Sequence, residues 1–241
     1  MQVLRSAQDD RGAGFPDLVL LTVRDEQISD AAASLTRADL PPSVVLHTSG
    51  ALGSDLLQPL AAKGWATGSM APIVSIADPE RDAPKLIGAW FAVEGDDRAV
   101  EVAGTLIGAL EGRIIRLDPA AKPSYHVAAV FASNYVVTLL AVAERLMADA
   151  GLEAGPARAA LAALAGGAVA NVGERGAEAA LTGPVSRGDA DTIERHLARL
   201  SPPERRLYSE LARETLEIAR RRGLEPERAD RIARILEKAA E

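Results

Sequence analysis

The sequence predicts a two-part chain: an α/β unit with a parallel sheet, followed by an all-α helical domain. Three observations carry this. The first ~120 residues alternate short apolar runs with helix-like stretches, the pattern of strands joined by crossover helices. From Pro123 onward only helical periodicity remains. Hydrophobic residues make up 48% of the chain but aromatics only 3%, so the core is built from Ala, Val, Leu and Ile, which suits close helix packing.

The elements follow in order. Residues 17–23 (DLVLLTV) read as a fully buried strand, and 24–27 (RDEQ) open a helix running towards Leu35. After the breaker Pro41-Pro42, residues 43–47 (SVVLH) form the next strand. Thr48-Ser49-Gly50 is a turn, and a short helix follows over 54–63. Residues 65–69 and 90–94 are a third and a fourth strand; Gly95-Asp96-Asp97 supplies a turn and a helix cap. A helix over 98–110 leads to a fifth strand at 113–117. Residues 124–150 read as one long helix, apolar nearly all round, hence buried in the domain or in a dimer interface. Gly151 ends it, and further helices are expected over 156–165, 168–180, 190–200, 203–222 and 226–239. The last two mix Arg and Glu at i, i+3 and i, i+4, which reads as a solvated, ion-paired face.

Charge and composition narrow the function. A net charge of −7 argues against a general nucleic-acid or anionic-membrane binder. The absence of cysteine removes disulfides, thiolate chemistry and cysteine zinc sites. The N-terminus lacks the apolar core of a signal peptide, and the longest apolar run, 127–147, is interrupted by Ser133, Asn134, Glu144 and Arg145. The expectation is a soluble cytoplasmic protein with no membrane and no nucleic-acid partner. The three histidines are scattered, and no spacing suits a metal or a Ser-His-Asp triad.

A doubly wound nucleotide domain opens with a strand and a Gly-rich turn that sets pyrophosphate on a helix N-terminus. No G-x-G-x-x-G follows any strand, and Gly12-Ala13-Gly14 has no apolar run before it, so it reads as loop. The chain reads as starting at the fourth strand of such a domain. This leaves a sheet edge in need of cover.

Five blocks carry a resemblance: residues 17–25 (DLVLLTVRD), 45–53 (VLHTSGALG), 68–79 (GSMAPIVSIADP), 125–135 (YHVAAVFASNY) and 181–189 (LTGPVSRGD). In this order they resemble the Rossmann-like oxidoreductases that carry the helical domain of unknown function 2520. These are distant relatives of ketopantoate reductase, pyrroline-5-carboxylate reductase and the 6-phosphogluconate dehydrogenases. The resemblance implies a truncated Rossmann-like NAD(P)-binding domain over 1–119 and an all-helical substrate and dimerisation domain over 120–241. It also implies a homodimer and a nicotinamide site in the interdomain cleft. The sequence departs from the family pattern in lacking the Gly-rich unit, in Arg24 standing where Pro is usual, and in Ala71-Pro72-Ile73-Val74 replacing His-Pro-Leu-Gln. These departures predict weak or absent binding of NAD or NADP.

Candidate site residues fall in three places. Ligands of open α/β sheets bind beyond the carboxyl ends of the strands, which selects Val23-Arg24-Asp25 and Ser49-Gly50 for cofactor; Ser49 and Gly50 serve equally as a turn and cap. His126, Ser133 and Asn134 lie in an apolar helix, with Ser133 about 20° and Asn134 about 80° round the axis from His126. Polar groups there need partners or a cleft. Asn134 could bond a substrate carbonyl or hydroxyl while His126 relays a proton, or both could tie helix ends together. In the loop 182–189, Thr182 and Arg187 are candidates for a small acid substrate, Arg187 as a bidentate clamp or as part of a structural turn capped by Asp189. The expected activity is an NAD(P)-dependent oxidoreduction of a small carbonyl, imine or hydroxy-acid. The alternative is a truncated or degenerate, non-catalytic homologue acting as a binding and dimerisation module.

Overall fold

The computed structural model describes residues 17–38 and 40–240. The reading of Gly12 and Gly14 as loop lies outside them. The chain divides into two compact units, Met1–Val136 and Val137–Glu241.

The first unit is a sheet in the order β1 (Leu18–Leu21), β2 (Val44–His47), β3 (Ala66–Pro72), β4 (Trp90–Gly95), β5 (Arg113–Arg116). β1–β2, β2–β3 and β4–β5 are parallel pairs; β3–β4 is antiparallel. The sheet is therefore mostly parallel, as predicted, with one reversal. The link between β3 and β4 holds only the single-turn helix α3 (Pro79–Asp82) and a 3-10 turn, too little to cross back over the sheet. Gly68 and Gly95 face each other across that reversal. Gly95 has φ +133°, and a Cβ on it would come within 2.4 Å of the Thr67 carbonyl oxygen, so only glycine allows this approach. Asp96 then caps α4 (Asp97–Ala109), accepting from the Ala99 amide at 2.9 Å while also accepting from Thr67 N–H on β3.

Alternation along the strands divides the core between the two faces. Val19, Leu21 and Val45 pack with Ile28, Ala32 and Leu35 of α1 (Ile28–Arg37) and Leu60 of α2 (Gln58–Ala61). Val44, Leu46 and Val93 pack with Ala99, Ala103 and Ile107 of α4. Among the described residues β1 pairs only with β2.

The expected single helix over 124–150 is two: α5 (Lys122–Ala132) and α6 (Asn134–Asp149), broken at Ser133. Ser133 leaves helical geometry at φ −127°, ψ −71°, and its hydroxyl donates to the Ala129 carbonyl at 2.7 Å, a back-bond that bends helices. Nor are these helices buried within the chain: α6 has no buried residue, and Phe131 and Val137 are 63% and 66% exposed. By length and composition alone Pro119–Asp149 would reach across a membrane, against expectation. One end of that stretch, however, is fixed inside the first unit by the fully buried Lys122.

In the second unit the helices expected at 156–165 and 168–180 form one element, α7 (Ala154–Ala180), with a break at Gly176 (φ 77°, ψ 164°). Its residues are also largely exposed, Leu164 at 73%. The core of this unit lies in α8 (Pro184–Arg187), α9 (Ala190–Leu197), α10 (Pro202–Arg221) and α11 (Pro226–Ala240), around Ile193, Leu216, Ile232 and Leu236. Asp189 caps α9 as predicted, accepting from Thr192 N–H at 3.1 Å.

Candidate functional site

The site begins where β2 ends. His47 is completely buried; its Nδ1 accepts the Ser49 amide at 3.2 Å and its Nε2 meets the Gly53 carbonyl at 3.1 Å. Those two partners require the tautomer with the proton on Nε2. Burial and the nearby Lys122 charge lower the His47 pKa, so the ring stays neutral. Both nitrogens are occupied in folding the loop 48–53. Ser49 completes that loop, its hydroxyl oxygen accepting from Ala51 N–H at 3.2 Å and Leu52 N–H at 3.0 Å. Of the two roles foreseen for Ser49, its oxygen serves the turn.

Beneath the loop lies a buried charge pair. Lys122 and Glu94 have side chains 1% and 0% exposed, with Nζ 3.4 Å from Oε1. Ser69 stands between them: its hydroxyl donates to Glu94 Oε1 at 2.6 Å and its oxygen accepts from Lys122 Nζ. Ser54 closes the other side, its amide donating to Oε1 at 2.9 Å and its hydroxyl to Oε2 at 2.7 Å. Burial alone pushes the Glu94 carboxyl up. The Ser69 and Ser54 hydrogen bonds and the Lys122 charge outweigh it and hold Glu94 below the usual carboxylate range. Burial lowers Lys122, against the pull of Glu94. The network joins the loop after β2, strands β3 and β4, and the first residue of α5.

The loop after β2, the end of β3 and α5 also line a pocket of ≈ 400 Å³. Tyr125 and His126, three and four residues after Lys122, face it with Ser133 and Asn134; Gly50 and Pro72-Ile73-Val74-Ser75 form other walls. A Cβ at Gly50 would lie 3.4 Å from Nδ1 of His126, ordinary van der Waals contact, so the loop backbone and the imidazole stand side by side at the pocket. Ser133 Oγ is 3.0 Å from Asn134 Oδ1. The pocket lies beyond the carboxyl ends of the parallel strands β2 and β3, where ligands of open α/β sheets bind.

The structure thus brings together Gly50, His126, Ser133 and Asn134. Val23, Arg24 and Asp25 are not among the residues that line the pocket, although the Asp25 charge reaches His47 and Lys122 and favours the charged form of each. Val23 packs against the core, Arg24 is 83% exposed beside Glu26, and Asp25 starts a 3-10 turn. Thr182 and Arg187 belong to the second unit, where Thr182 precedes α8 and the Arg187 carbonyl accepts from Arg228 at 3.1 Å. The sequence reading placed no lysine on the face of the long helix and missed Lys122, Glu94, Ser69 and Ser54. The signal available was Glu94 ending an apolar strand, since a buried carboxylate needs a cation.

For a dinucleotide the fit is divided. The pocket suits a flat ring with hydrogen-bonding substituents. Among the described residues no Gly-rich turn opens a helix after a strand, so the pyrophosphate cradle is not among them.

Residues 5–72 match the Rossmann-like domain, and residues 89–215 match the domain of unknown function 2520. The chain belongs to the domain of unknown function 2520 family. No curated protein sequence matches it. Among solved structures it is similar to protein TM1727 from Thermotoga maritima, with 27% identity, TM-score 0.64, and coverage of 93% of this chain and 78% of that one. It is also similar to BF3122 from Bacteroides fragilis, a candidate NADP oxidoreductase, with 20% identity, TM-score 0.65 and coverage of 85% and 77%. A pyrroline-5-carboxylate reductase from Coxiella burnetii aligns at 14% identity and TM-score 0.51, over 98% and 80%. The last two likenesses are of fold.

Proposed function

We propose that the chain is an NAD(P)-linked oxidoreductase acting on a small carbonyl, imine or hydroxy-acid at the pocket between Gly50 and His126. The observation that carries this reading is the pocket itself: it stands at the carboxyl ends of β2 and β3 and is lined by an imidazole, a hydroxyl and a carboxamide beside the Gly50 backbone. NAD(P)H would supply the hydride when bound. The ≈ 400 Å³ beside Gly50 is the space that would take the planar ring. His126 is placed to hand a proton to a developing alkoxide or amine, and Asn134 to orient a carbonyl or hydroxyl. Pro72, Ile73 and Val74 keep that side of the space apolar. The Lys122–Glu94–Ser69 network acts at a distance, fixing the start of α5 and so the direction of His126.

Saturation-transfer NMR with NADPH tests the reading. Because no G-x-G-x-x-G turn is found among the described residues to hold the pyrophosphate end, transfer to nicotinamide protons should exceed transfer to adenine protons, and Gly50→Val should abolish it. Equal transfer in the Gly50→Val variant would refute the site.

We further propose a homodimer through the helices of the second unit. The support is the apolar side chains that α6 and α7 leave exposed within that unit, Val137, Leu139, Leu164 and Val169. Sedimentation velocity without detergent at ~10 µM should give the dimer mass, as an obligate interface of this kind demands. A monomer, or solubility only in detergent, would contradict it.

A further inference from the structure

The second unit holds a feature outside the reaction pocket. A groove of ≈ 450 Å³ runs between α9, α10 and α11. Its floor is apolar, from Leu197, Ala198 and Ile235, and four cations stand around it: Arg205, Arg231, Arg234 and Lys238. One acid, Glu194, joins them. This concentration is opposite in sign to the chain's net charge of −7.

The cations are not equivalent. Arg205 is occupied, donating Nε to the Leu197 carbonyl at 3.2 Å and Nη2 to the Leu200 carbonyl at 3.3 Å, which satisfies the end of α9. Arg231 pairs with Asp191 at 2.5 Å. Arg234 and Lys238 have no ion pair or hydrogen bond among the described residues. They stand three and seven residues after Arg231, on the same side of α11.

Charge is sorted around α11. Asp230 pairs with Arg220 of α10 at 3.5 Å, and Glu237 lines the opposite groove with Arg213 and Arg220. Asp230 and Glu237 thus lie on the α10 side of α11, while Arg234 and Lys238, with no partner among the described residues, lie on the groove. A purely solvated, ion-paired helix would distribute both signs over both sides. The residues of α11 also lie beyond the stretch that matches the family domain, which ends at 215.

We propose that this groove binds a phosphate monoester carrying an apolar body. A phosphate monoester brings a charge of about −1.5 to −2 at neutral pH, which matches Arg234 and Lys238, the two cations with no partner among the described residues, and the apolar lining of Leu197, Ala198 and Ile235 takes the apolar part. Arg234 offers a planar fork to two phosphate oxygens and Lys238 a point charge.

The test uses the full chain, labelled with ¹⁵N, at low salt and pH 7.5, titrated with phenyl phosphate. Saturable amide shifts are expected, confined to residues 194–198 and 231–239. Arg234→Gln/Lys238→Gln should weaken binding roughly tenfold, the effect of losing two exposed ion pairs, while Arg234→Lys/Lys238→Arg should retain it. All these positions are exposed, and circular dichroism checks that each variant stays folded. Inorganic phosphate should bind several-fold more weakly than phenyl phosphate. The proposal is overturned if shifts do not saturate, if they fall on α5–α7 instead, or if the glutamine variant binds as tightly as the parent. Equal affinity for inorganic phosphate would overturn the apolar half of the assignment.

Discussion

Lys122→Met removes one member of a charge pair whose side chains are 1% and 0% exposed. What remains is the Glu94 carboxylate, still receiving three hydrogen bonds from Ser54 and Ser69 but with no cation in a place that water does not reach. Breaking a buried pair from one side costs about 3–5 kcal/mol. Glu94→Gln leaves the Lys122 ammonium with Ser69 as its close partner and should cost a similar amount. The double variant removes both charges, so its cost should fall below the sum of the singles by about 2 kcal/mol or more. The chain's two tryptophans, Trp65 and Trp90, both lie in the first unit, and Trp65 is buried against the α1 side of the sheet. Urea unfolding followed by tryptophan fluorescence therefore reads the unit that holds the pair. Losses under about 1 kcal/mol for Lys122→Met, or strictly additive singles, would refute the buried pair as described.

Two further outcomes follow from the same geometry. The pKa of His47 is lowered by burial and by Lys122, so the folded state resists its protonation. Its stabilising contribution is complete above the unfolded value near 6.5 and is lost as pH falls below it towards the folded value. Urea unfolding at pH 7.5 and 5.5 should show stability dropping by at most about 1.4 kcal/mol per pH unit from this group, and His47→Gln should remove most of that part of the slope; an unchanged slope would contradict the assignment. Gly95→Ala meets the Thr67 carbonyl oxygen at 2.4 Å with φ +133° and should destabilise the first unit by about 3 kcal/mol or more; a melting temperature within a degree or two of the parent would show that β3 and β4 separate more easily than their register implies.

Much of the fold is legible locally. The apolar runs at β1 and β2, the caps Asp96 and Asp189, and the glycine at the end of α6 are statements about neighbouring residues, and the structure keeps them. The reversal between β3 and β4 is not local: it depends on Gly68 and Gly95 meeting across 27 residues. The break at Ser133 is not legible because two polar residues interrupt the apolar run without a proline or glycine to stop the helix, while the bend comes from the Ser133 hydroxyl bonding back to the Ala129 carbonyl. The pocket residues Gly50, His126, Ser133 and Asn134 could be selected by strand ends and by the cost of polar groups in an apolar helix. Their supports could not. Lys122, Glu94, Ser69 and Ser54 lie up to 68 positions apart, and a lysine before a helix reads as a solvent-facing residue until its partner is known.

The proposed chemistry is hydride transfer in the pocket beside Gly50, with His126 and Asn134 acting on the substrate. The most direct measurement is oxidation of NADPH, followed by absorbance, with small cyclic imines and 2-oxo acids, for the parent chain and for Asn134→Ala. Turnover with one of these classes is expected, with a fall of roughly 100-fold in the variant from the loss of one transition-state hydrogen bond, and NADPH affinity changed by less than about twofold. No turnover by the parent, or a variant that keeps full turnover and only melts earlier, would contradict it.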